Sequence, residues 1–397
     1  MGEQKTSTLV TFRNVALGTL ITAALLQYLG SLDLFNHYYL HILTIIGMNI
    51  ILVASLNLVN GYLGEFALGH AGFMAVGAYV AALVTLIMAA ILQYLGTLGL
   101  FNHYYLHILI VIGMNIILVA SLNLVNGYLG EFALGHAGFM AVGAYTAALI
   151  TLKLPLPALL RLPVSLVCGV VAAGVIGYLV GLVTFKTVGD YLAIVTLGFN
   201  MIIVNAIQNI DYVGGPRGLT GIPKETNLMT VALCVVLTYW ILRNLVDSIY
   251  GRMWLAIREN AIAGELIGIN VNRVKNLAFT IAAAFAGLAG GLYAEYQQFI
   301  TPKSFDYLRT TDILVMLYLG GMGSLSGSIL GVVVYTLLME ILRNVLGLIA
   351  PQLADLRMLI SPLILVIVML TRQYGLMGNR EWRWLQPKRK AVGGGDA

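Results

Sequence analysis

Charged residues are so sparse in this chain that they divide it into long apolar runs. Residues 66–130 include no Asp, Glu, Lys or Arg. A helix needs ~20 apolar residues to cross ~30 Å of hydrocarbon, and backbone groups in lipid must satisfy their own hydrogen bonds. Charge-free runs of about this length occupy residues 14–32, 132–152, 162–185, 191–210 and 276–294. The pattern therefore predicts an all-α, polytopic helical membrane protein with about ten spans plus short or re-entrant helices.

The first half of the chain contains a tandem duplication. Residues 21–86 recur as residues 87–152, and 58 of the 66 aligned positions are identical. Structural repeats normally diverge outside their packing positions. Such high identity is typical of a recent duplication, or of an error in sequence assembly, rather than of a functional repeat. Each copy is expected to supply two crossings, so the extra unit leaves the direction of later spans unchanged.

The duplication also explains the histidines, which would otherwise suggest a metal site. His37, His41 and His70 recur as His103, His107 and His136. We interpret each as a residue of a loop or helix interface. The sequence contains no GxxxxGK[ST], HExxH, CxxC or nucleophile-elbow pattern. We therefore expect no cofactor, no metal and no catalytic site, and energy for active transport would come from a partner or an ion gradient.

The segment 243–275, called here the charged segment, is the longest polar stretch inside the apolar part of the chain. It holds eight charged residues, five of them basic. Eleven of the 22 Lys and Arg residues lie in 243–275 and 372–390. Because basic loops stay on the cytoplasmic side of a membrane, both regions and both termini are predicted to be cytoplasmic, and residues 211–227 external.

Within the charged segment, the residues predict a short helix between two spans. Asn260 can cap a helix over the sequence AIAGELI, and Gly268 suits its end. Asn270 or Asn272 can cap the following helix, which enters the membrane at Asn276. The short helix would lie across the cytoplasmic surface, either as a docking site for a soluble partner or as an ordinary amphipathic interfacial helix.

A glycine-rich sequence, GGMGSLSG, interrupts the charge-free run 313–339. That run is too long for one span and too short for two comfortable spans, which favours paired short or re-entrant helices. Broken helices in a membrane line a pathway or lie buried in protein, although the glycines could simply allow close packing. Glu295, at the end of a predicted span, is interpreted as solvated at the outer interface, with a proton relay as the alternative.

Five blocks of sequence resemble LivM-type permeases, the membrane subunits of branched-chain amino-acid ABC importers. The sequence GRMWLAIRENAIAGELIGINVNRVK is similar to the family's coupling-loop region. The other blocks are GEFALGHAGFMAVGAYTAAL, DYLAIVTLGFNMI, VGGPRGLTGIP and ITPKSFDYLRTTDILVMLYLGGMGSLSGSILG. Together they extend over most of residues 87–378. The duplication is the one departure from the family pattern, and 331 residues remain when one copy is removed.

The resemblance implies a permease subunit of an ATP-driven importer for branched-chain or related small amino acids. Its expected partners are two ABC ATPase subunits, a second homologous permease, an external substrate-binding protein and the lipid bilayer, with no nucleic acid. Its expected location is a bacterial or archaeal plasma membrane. The alternative is an ion-coupled secondary transporter, which would need intramembrane carboxylates or paired broken helices in both halves.

The resemblance also implies three sets of site residues. The ATPase-coupling loop contains Arg252, Arg258, Glu259, Ala263, Gly264, Gly268 and Asn270. The external loop contains Gly214, Gly215, Pro216, Gly218 and Gly221. The re-entrant turn contains Gly320, Gly321, Gly323, Ser324 and Gly327.

The predicted organisation follows the duplication and the charge pattern. It consists of a cytoplasmic N-terminus and start of the first span (1–20), the two copies (21–86 and 87–152), a permease core (153–378) containing the coupling loop 243–275, and a basic cytoplasmic tail (379–397).

Overall fold

The computed structural model describes residues 70–97, 102–154, 157–185, 191–349, 357–371 and 375–377. Contacts divide the chain into two compact units, Met1–Val76 and Gly77–Ala397. Of the first unit only residues 70–76 are described. The first predicted span, most of the first repeat copy, residues 186–190 and the basic tail lie outside the described residues.

The described residues are almost entirely helical, which confirms the all-α prediction. The α-helices are α1 (His70–Thr97), α2 (His103–Asn123), α3 (His136–Lys153), α4 (Ala158–Thr184), α5 (Tyr191–Gln208), α6 (Leu228–Asp247), α7 (Ile249–Glu259), α8 (Ala261–Leu266), α9 (Val271–Gln297), α10 (Tyr307–Gly320), α11 (Leu325–Ile349) and α12 (Arg357–Thr371). A π-helical turn, Leu124–Leu129, extends α2. Short 3-10 helices occupy Asp211–Val213, Gly215–Arg217 and Pro302–Phe305. Two short strands, β1 (Leu219–Thr220) and β2 (Phe299–Ile300), pair antiparallel.

Five helices in the described part of the chain are long and apolar enough to cross a membrane. They are His103–Leu129, Leu160–Thr184, Leu228–Asp247, Val271–Gln297 and Leu325–Asn344. A sixth candidate is the pair Leu192–Gln208 and Asp211–Arg217, which is bent by 86°. These helices confirm the multi-pass prediction, and the predicted total of about ten spans also includes residues that are not described.

The boundary between the two repeat copies lies inside a helix. Residues 70–86 of the first copy and residues 87–97 of the second form the continuous 28-residue helix α1. The second crossing expected of the first copy therefore does not end at Leu86. The start of the second copy continues the helix, because the junction contains neither a glycine nor a proline that would end it.

Helices α3, α4 and α9 form the centre of the second unit, and they pack most extensively on one another. Glycines lie where these helices meet. A Cβ atom placed on Gly143 of α3 would overlap the backbone of Gly287 in α9, and one placed on Gly287 would come under 3.0 Å from the backbone of Gly169 in α4. Gly290 of α9 approaches the backbone of Met140 in the same way. Small residues allow this backbone-to-backbone packing, which is how helices gain contact energy in lipid.

Helices α10 and α11 are joined by a tight turn, residues 321–324, called here the glycine turn. Gly320 and Gly327 bring the two helices together, because a Cβ atom at Gly320 would overlap the backbone of Gly327. Gly321 and Gly323 have φ angles of 115° and 79°, values that residues with a Cβ atom rarely adopt. The predicted break is confirmed, but the prediction of two short helices is wrong for the second. Helix α10 has 14 residues, whereas α11 has 25 and is long enough to span.

A buried asparagine of α2 holds the glycine turn in place. Asn123 Nδ2 donates to the Ser324 carbonyl and to Ser328 Oγ, both at 2.8 Å. The Gly323 N–H donates to Asn123 Oδ1, also at 2.8 Å. Asn123 and Ser324 are fully buried. The asparagine thus supplies partners for two backbone groups of the turn and for the hydroxyl group of Ser328, which follows the turn in α11.

We expect Gly143→Val to prevent stable packing of α3 on α9. The added side chain would meet backbone rather than a movable side chain, and overpacking of a core commonly costs ~1–3 kcal/mol or more. Size-exclusion chromatography of the detergent-solubilised chain should show loss of the monodisperse peak. Gly77→Val, at the equivalent position of the first copy, is the matched control. A normal elution of G143V would contradict the packing described here.

We expect Asn123→Ala to lower the free energy of unfolding by about 2 kcal/mol or more, because it leaves buried polar groups of the glycine turn without partners. Denaturant unfolding of the solubilised chain measures this change. Asn57→Ala makes the same substitution in an identical stretch of the first copy, and its effect should be smaller. Equal losses in the two variants would show that the Asn123 contacts do not account for the effect.

Candidate functional site

The charged segment folds into two short helices that precede α9. Ser248 caps α7, since its Oγ accepts from the Tyr250 N–H at 3.2 Å. Helix α7 packs through Trp254, whose ring is fully buried and whose Nε1 donates to the Val274 carbonyl at 3.1 Å. Helix α7 is therefore attached to the first turn of α9 rather than lying free on the surface.

The predicted caps of α8 and α9 are confirmed. Asn260 Oδ1 accepts from the Ala263 N–H at 3.0 Å, at the start of α8. Gly268, with a φ angle of 87°, follows the end of that helix. Asn270 Oδ1 accepts from the Arg273 N–H at 3.1 Å, so Asn270 rather than Asn272 caps α9. Each cap satisfies a backbone group that the helix itself leaves unpaired.

Helix α8 presents apolar side chains to its surroundings. Ile262, Leu266 and Ile267 are 72%, 84% and 75% exposed. Of the predicted coupling residues, Arg252, Glu259, Ala263, Gly268 and Asn270 are also exposed, whereas Gly264 is buried and Arg258 is half-buried. The three aliphatic residues were not among the predicted site residues. Their signal in the sequence is the presence of large apolar side chains inside an otherwise polar segment.

The charged segment is anchored to residues 124–135, called here the anchor loop, which follows α2 in the second repeat copy. Arg258 Nη1 donates to the Gly127 carbonyl at 2.9 Å, and Arg258 Nη2 lies 3.3 Å from Glu259 Oε1. Lys275 Nζ forms an ion pair with Glu131 Oε1. Arg258 therefore holds the charged segment against the second repeat copy, and its guanidinium is directed toward Gly127.

Gly127 links the anchor loop to the glycine turn as well. A Cβ atom placed on Gly127 would overlap the Gly323 backbone nitrogen, and the Gly127 carbonyl accepts from Arg258. The charged segment and the glycine turn thus both contact Gly127. Gly127 and Asn123 were not among the predicted site residues. Gly127 lies in the π-helical turn and Asn123 directly before it, and π-helical turns are frequent at functional sites.

The predicted external loop lies after α5. Its glycines Gly214, Gly215, Gly218 and Gly221 all have positive φ angles. Pro216 is the second residue of the 3-10 helix Gly215–Arg217. Gly218 lies directly against the backbone of Ile300, and the register of β1 and β2 pairs Leu219 with Ile300. The loop is thereby joined to the segment that follows α9.

The three predicted sets do not form one site. The charged segment precedes α9 and β2 follows it, and a helix of 27 residues is roughly 40 Å long. The coupling set and the external set therefore lie at opposite ends of α9. The coupling set and the glycine turn, by contrast, are brought together by Gly127.

Glu295 is an acidic residue close to the end of the span Val271–Gln297. It is fully buried, and its Oε1 accepts from Thr151 Oγ1 at 3.0 Å and from Ser165 Oγ at 2.5 Å. The prediction that interfacial water solvates Glu295 is therefore wrong. The small residues that pack α3, α4 and α9 together also exclude water from this carboxyl group.

The histidines that are described lie at helix ends and interfaces. His136 is buried, and its Nε2 lies 2.7 Å from Ser121 Oγ across the contact of α2 with α3. His107 Nδ1 lies 2.8 Å from the Tyr296 hydroxyl. No group of three or more His, Cys, Asp or Glu residues suited to a metal ion occurs within the described residues.

Comparison with known proteins agrees with this architecture. The family described as "Branched-chain amino acid transport system / permease component" matches residues 104–369. The high-affinity branched-chain amino acid transport system permease protein LivM of Escherichia coli (strain K12) is 34% identical over 297 residues, covering 66% of this chain and 67% of LivM. LivH of the same strain is 27% identical over 156 residues, covering 39% of this chain and 46% of LivH.

More distant similarity extends to a permease for another solute. The ribose import permease protein RbsC of Haemophilus influenzae is 23% identical over 329 residues, covering 79% of this chain and 96% of RbsC. No solved structure matches the chain. On the family match and the LivM identity, this chain belongs to the family of branched-chain amino acid transport system permease components.

Proposed function

We propose that the chain is the membrane-spanning permease subunit of an ATP-driven ABC importer for branched-chain or related small amino acids. Family membership and the names of the LivM and LivH relatives support this proposal. The structural observation that carries it is α8, a short, capped helix with three exposed aliphatic side chains, held on the core by Arg258. Exposed apolar patches of this kind are typical of protein–protein contacts.

The proposed occupant of this surface is an ABC ATPase subunit with an apolar groove. Helix α8 is joined to α7 on one side and to α9 on the other. A force on α8 would displace α9 directly and would reach the glycine turn through Arg258 and Gly127. ATP-driven movement of the partner would in this way rock the spans between inward-open and outward-open states.

The remaining partners follow from the same function. Two ATPase subunits and a second homologous permease would complete the complex in a bacterial or archaeal plasma membrane, with both termini cytoplasmic. A substrate-binding protein would deliver solute at residues 211–227. Folded turns built on glycines with positive φ angles give this loop a defined shape, which suits recognition by a preformed surface.

One observation favours an ion-coupled secondary transporter as the second candidate. Glu295 is a fully buried carboxyl group in a described span, and such residues are often proton or ion sites. The two functions differ in their energy source. Uptake into proteoliposomes driven by an ion gradient without ATPase subunits would support the second candidate, and uptake that requires ATP and those subunits would support the importer.

We expect Leu266→Asp to weaken ATPase binding by roughly 30-fold, because a charge at the centre of an apolar contact costs about 2 kcal/mol or more. Co-purification of ATPase subunits with the tagged chain measures the loss. Ile249→Asp is the control, since Ile249 is also an exposed aliphatic residue of the charged segment, at 65%, but lies outside α8. Full recovery of ATPase subunits with L266D would contradict docking on α8.

We also expect Gly268→Arg and Arg258→Glu to uncouple ATP hydrolysis from transport while the chain still inserts. The first forces a bulky residue to a φ angle of 87°, and the second removes the bond to Gly127. Parallel measurements of ATP hydrolysis and solute uptake in proteoliposomes test this. Unchanged solute uptake in both variants would contradict the coupling role proposed for the charged segment.

A further inference from the structure

A cavity of about 350 Å³ lies where α1, α2, α9 and the segment before α6 meet. It opens at the end of α9 that is opposite the charged segment, since Tyr296 contributes to its wall. Ligand sites commonly enclose ~300–1,000 Å³. This cavity therefore suits a molecule of a few heavy atoms rather than a large ligand. We refer to it as the Lys224 cavity.

One side of the Lys224 cavity is electropositive. Lys224 lines it, with Nζ 5.1 Å from the centre of the Tyr296 ring. No salt bridge joins Lys224 to a carboxylate of the described residues. His103, the first residue of α2, also lines the cavity, so the positive end of a 21-residue helix points to the same region. Both features favour a negatively charged group.

The rest of the wall is aliphatic. Leu106 and Ile110 of α2 and Leu228 of α6 line the cavity, and Ile110 and Leu228 are otherwise buried. Among the described residues that line the cavity, none is acidic. This part of the wall therefore offers a cation to one end of a ligand and methyl groups to the other, and no carboxylate for an ammonium group.

We propose that the Lys224 cavity binds small branched aliphatic carboxylates. The carboxylate group contacts Lys224 near the start of α2, and the aliphatic tail packs on Leu106 and Ile110. That this ligand is also the transported solute rests on the proposed function. Binding of the ligand to the cavity does not depend on that function. The cavity would then select for the carboxylate end of an amino acid after its delivery at residues 211–227.

Equilibrium binding to the purified full-length chain, with whatever subunits co-purify but without a binding protein, tests this. The probes are leucine, 4-methylpentanoate and 3-methylbutylamine, which share a branched tail and differ in their charged groups. We expect leucine and 4-methylpentanoate to bind and the amine not to bind. No saturable binding of either carboxylate up to about 10 mM would overturn the proposal, as would equal binding of the amine.

Variants then locate the site. Lys224→Gln should weaken carboxylate binding by tenfold or more, while Lys303→Gln removes an exposed lysine elsewhere and should not. Leu106→Phe should abolish binding by filling the cavity, and Leu40→Phe is its matched control in the first repeat copy. Equal losses in a variant and its control would overturn the site.

The same preparations separate this proposal from the proposed function. If the carboxylates bind and K224Q weakens their binding, but no ATPase subunit co-purifies with the wild-type chain, the proposed binding site is supported and the importer function is not. If ATPase subunits co-purify and ATP drives uptake, but K224Q and L106F bind as the wild type does, the importer is upheld and the cavity is rejected.

Discussion

Backbone-to-backbone contact among α3, α4 and α9 is the constraint on which the rest of this structure depends. In lipid there is no hydrophobic drive between apolar helices, so contact energy comes from how closely they approach. Gly143, Gly169 and Gly287 let the three backbones touch at one level. The same close approach encloses Glu295, which then requires the hydroxyl groups of Thr151 and Ser165 as partners. Packing at the glycines thus determines where a buried polar group can be tolerated.

Because α9 is fixed at this centre, both of its ends are fixed as well. The charged segment is attached to its first turn through Trp254 and Val274. Tyr296 and β2, at the other end, contribute a wall of the Lys224 cavity and the pairing with the external loop. A permease needs such a rigid element, because movement imposed at one face must reach the other without being lost in local deformation.

The π-helical turn at Leu124–Leu129 gives the chain a second connection. Its extra residue per turn changes the direction of the backbone after α2, so that Gly127 faces the glycine turn while its carbonyl accepts from Arg258. Asn123, immediately before the turn, is thereby directed at Ser324. The glycine turn is consequently held by α2 and lies next to the residue that anchors the charged segment. Asn123 and Gly127 both belong to the second repeat copy.

The sequence by itself determined the features whose physics is local. Charge-free runs predicted the spans because lipid admits no unpaired backbone, and Asn260, Gly268 and Asn270 predicted the helix ends because a cap bonds within its own turn. Tertiary structure alone decided how Asn123 and Gly127 contact the glycine turn, how Glu295 is buried and where the Lys224 cavity forms. Asn57 and Asn123 have the same neighbours in sequence, so nothing local distinguishes them. Asn123 acquires its role from Ser324 and Ser328, about 200 residues further along the chain, and such pairings arise only when the helices pack.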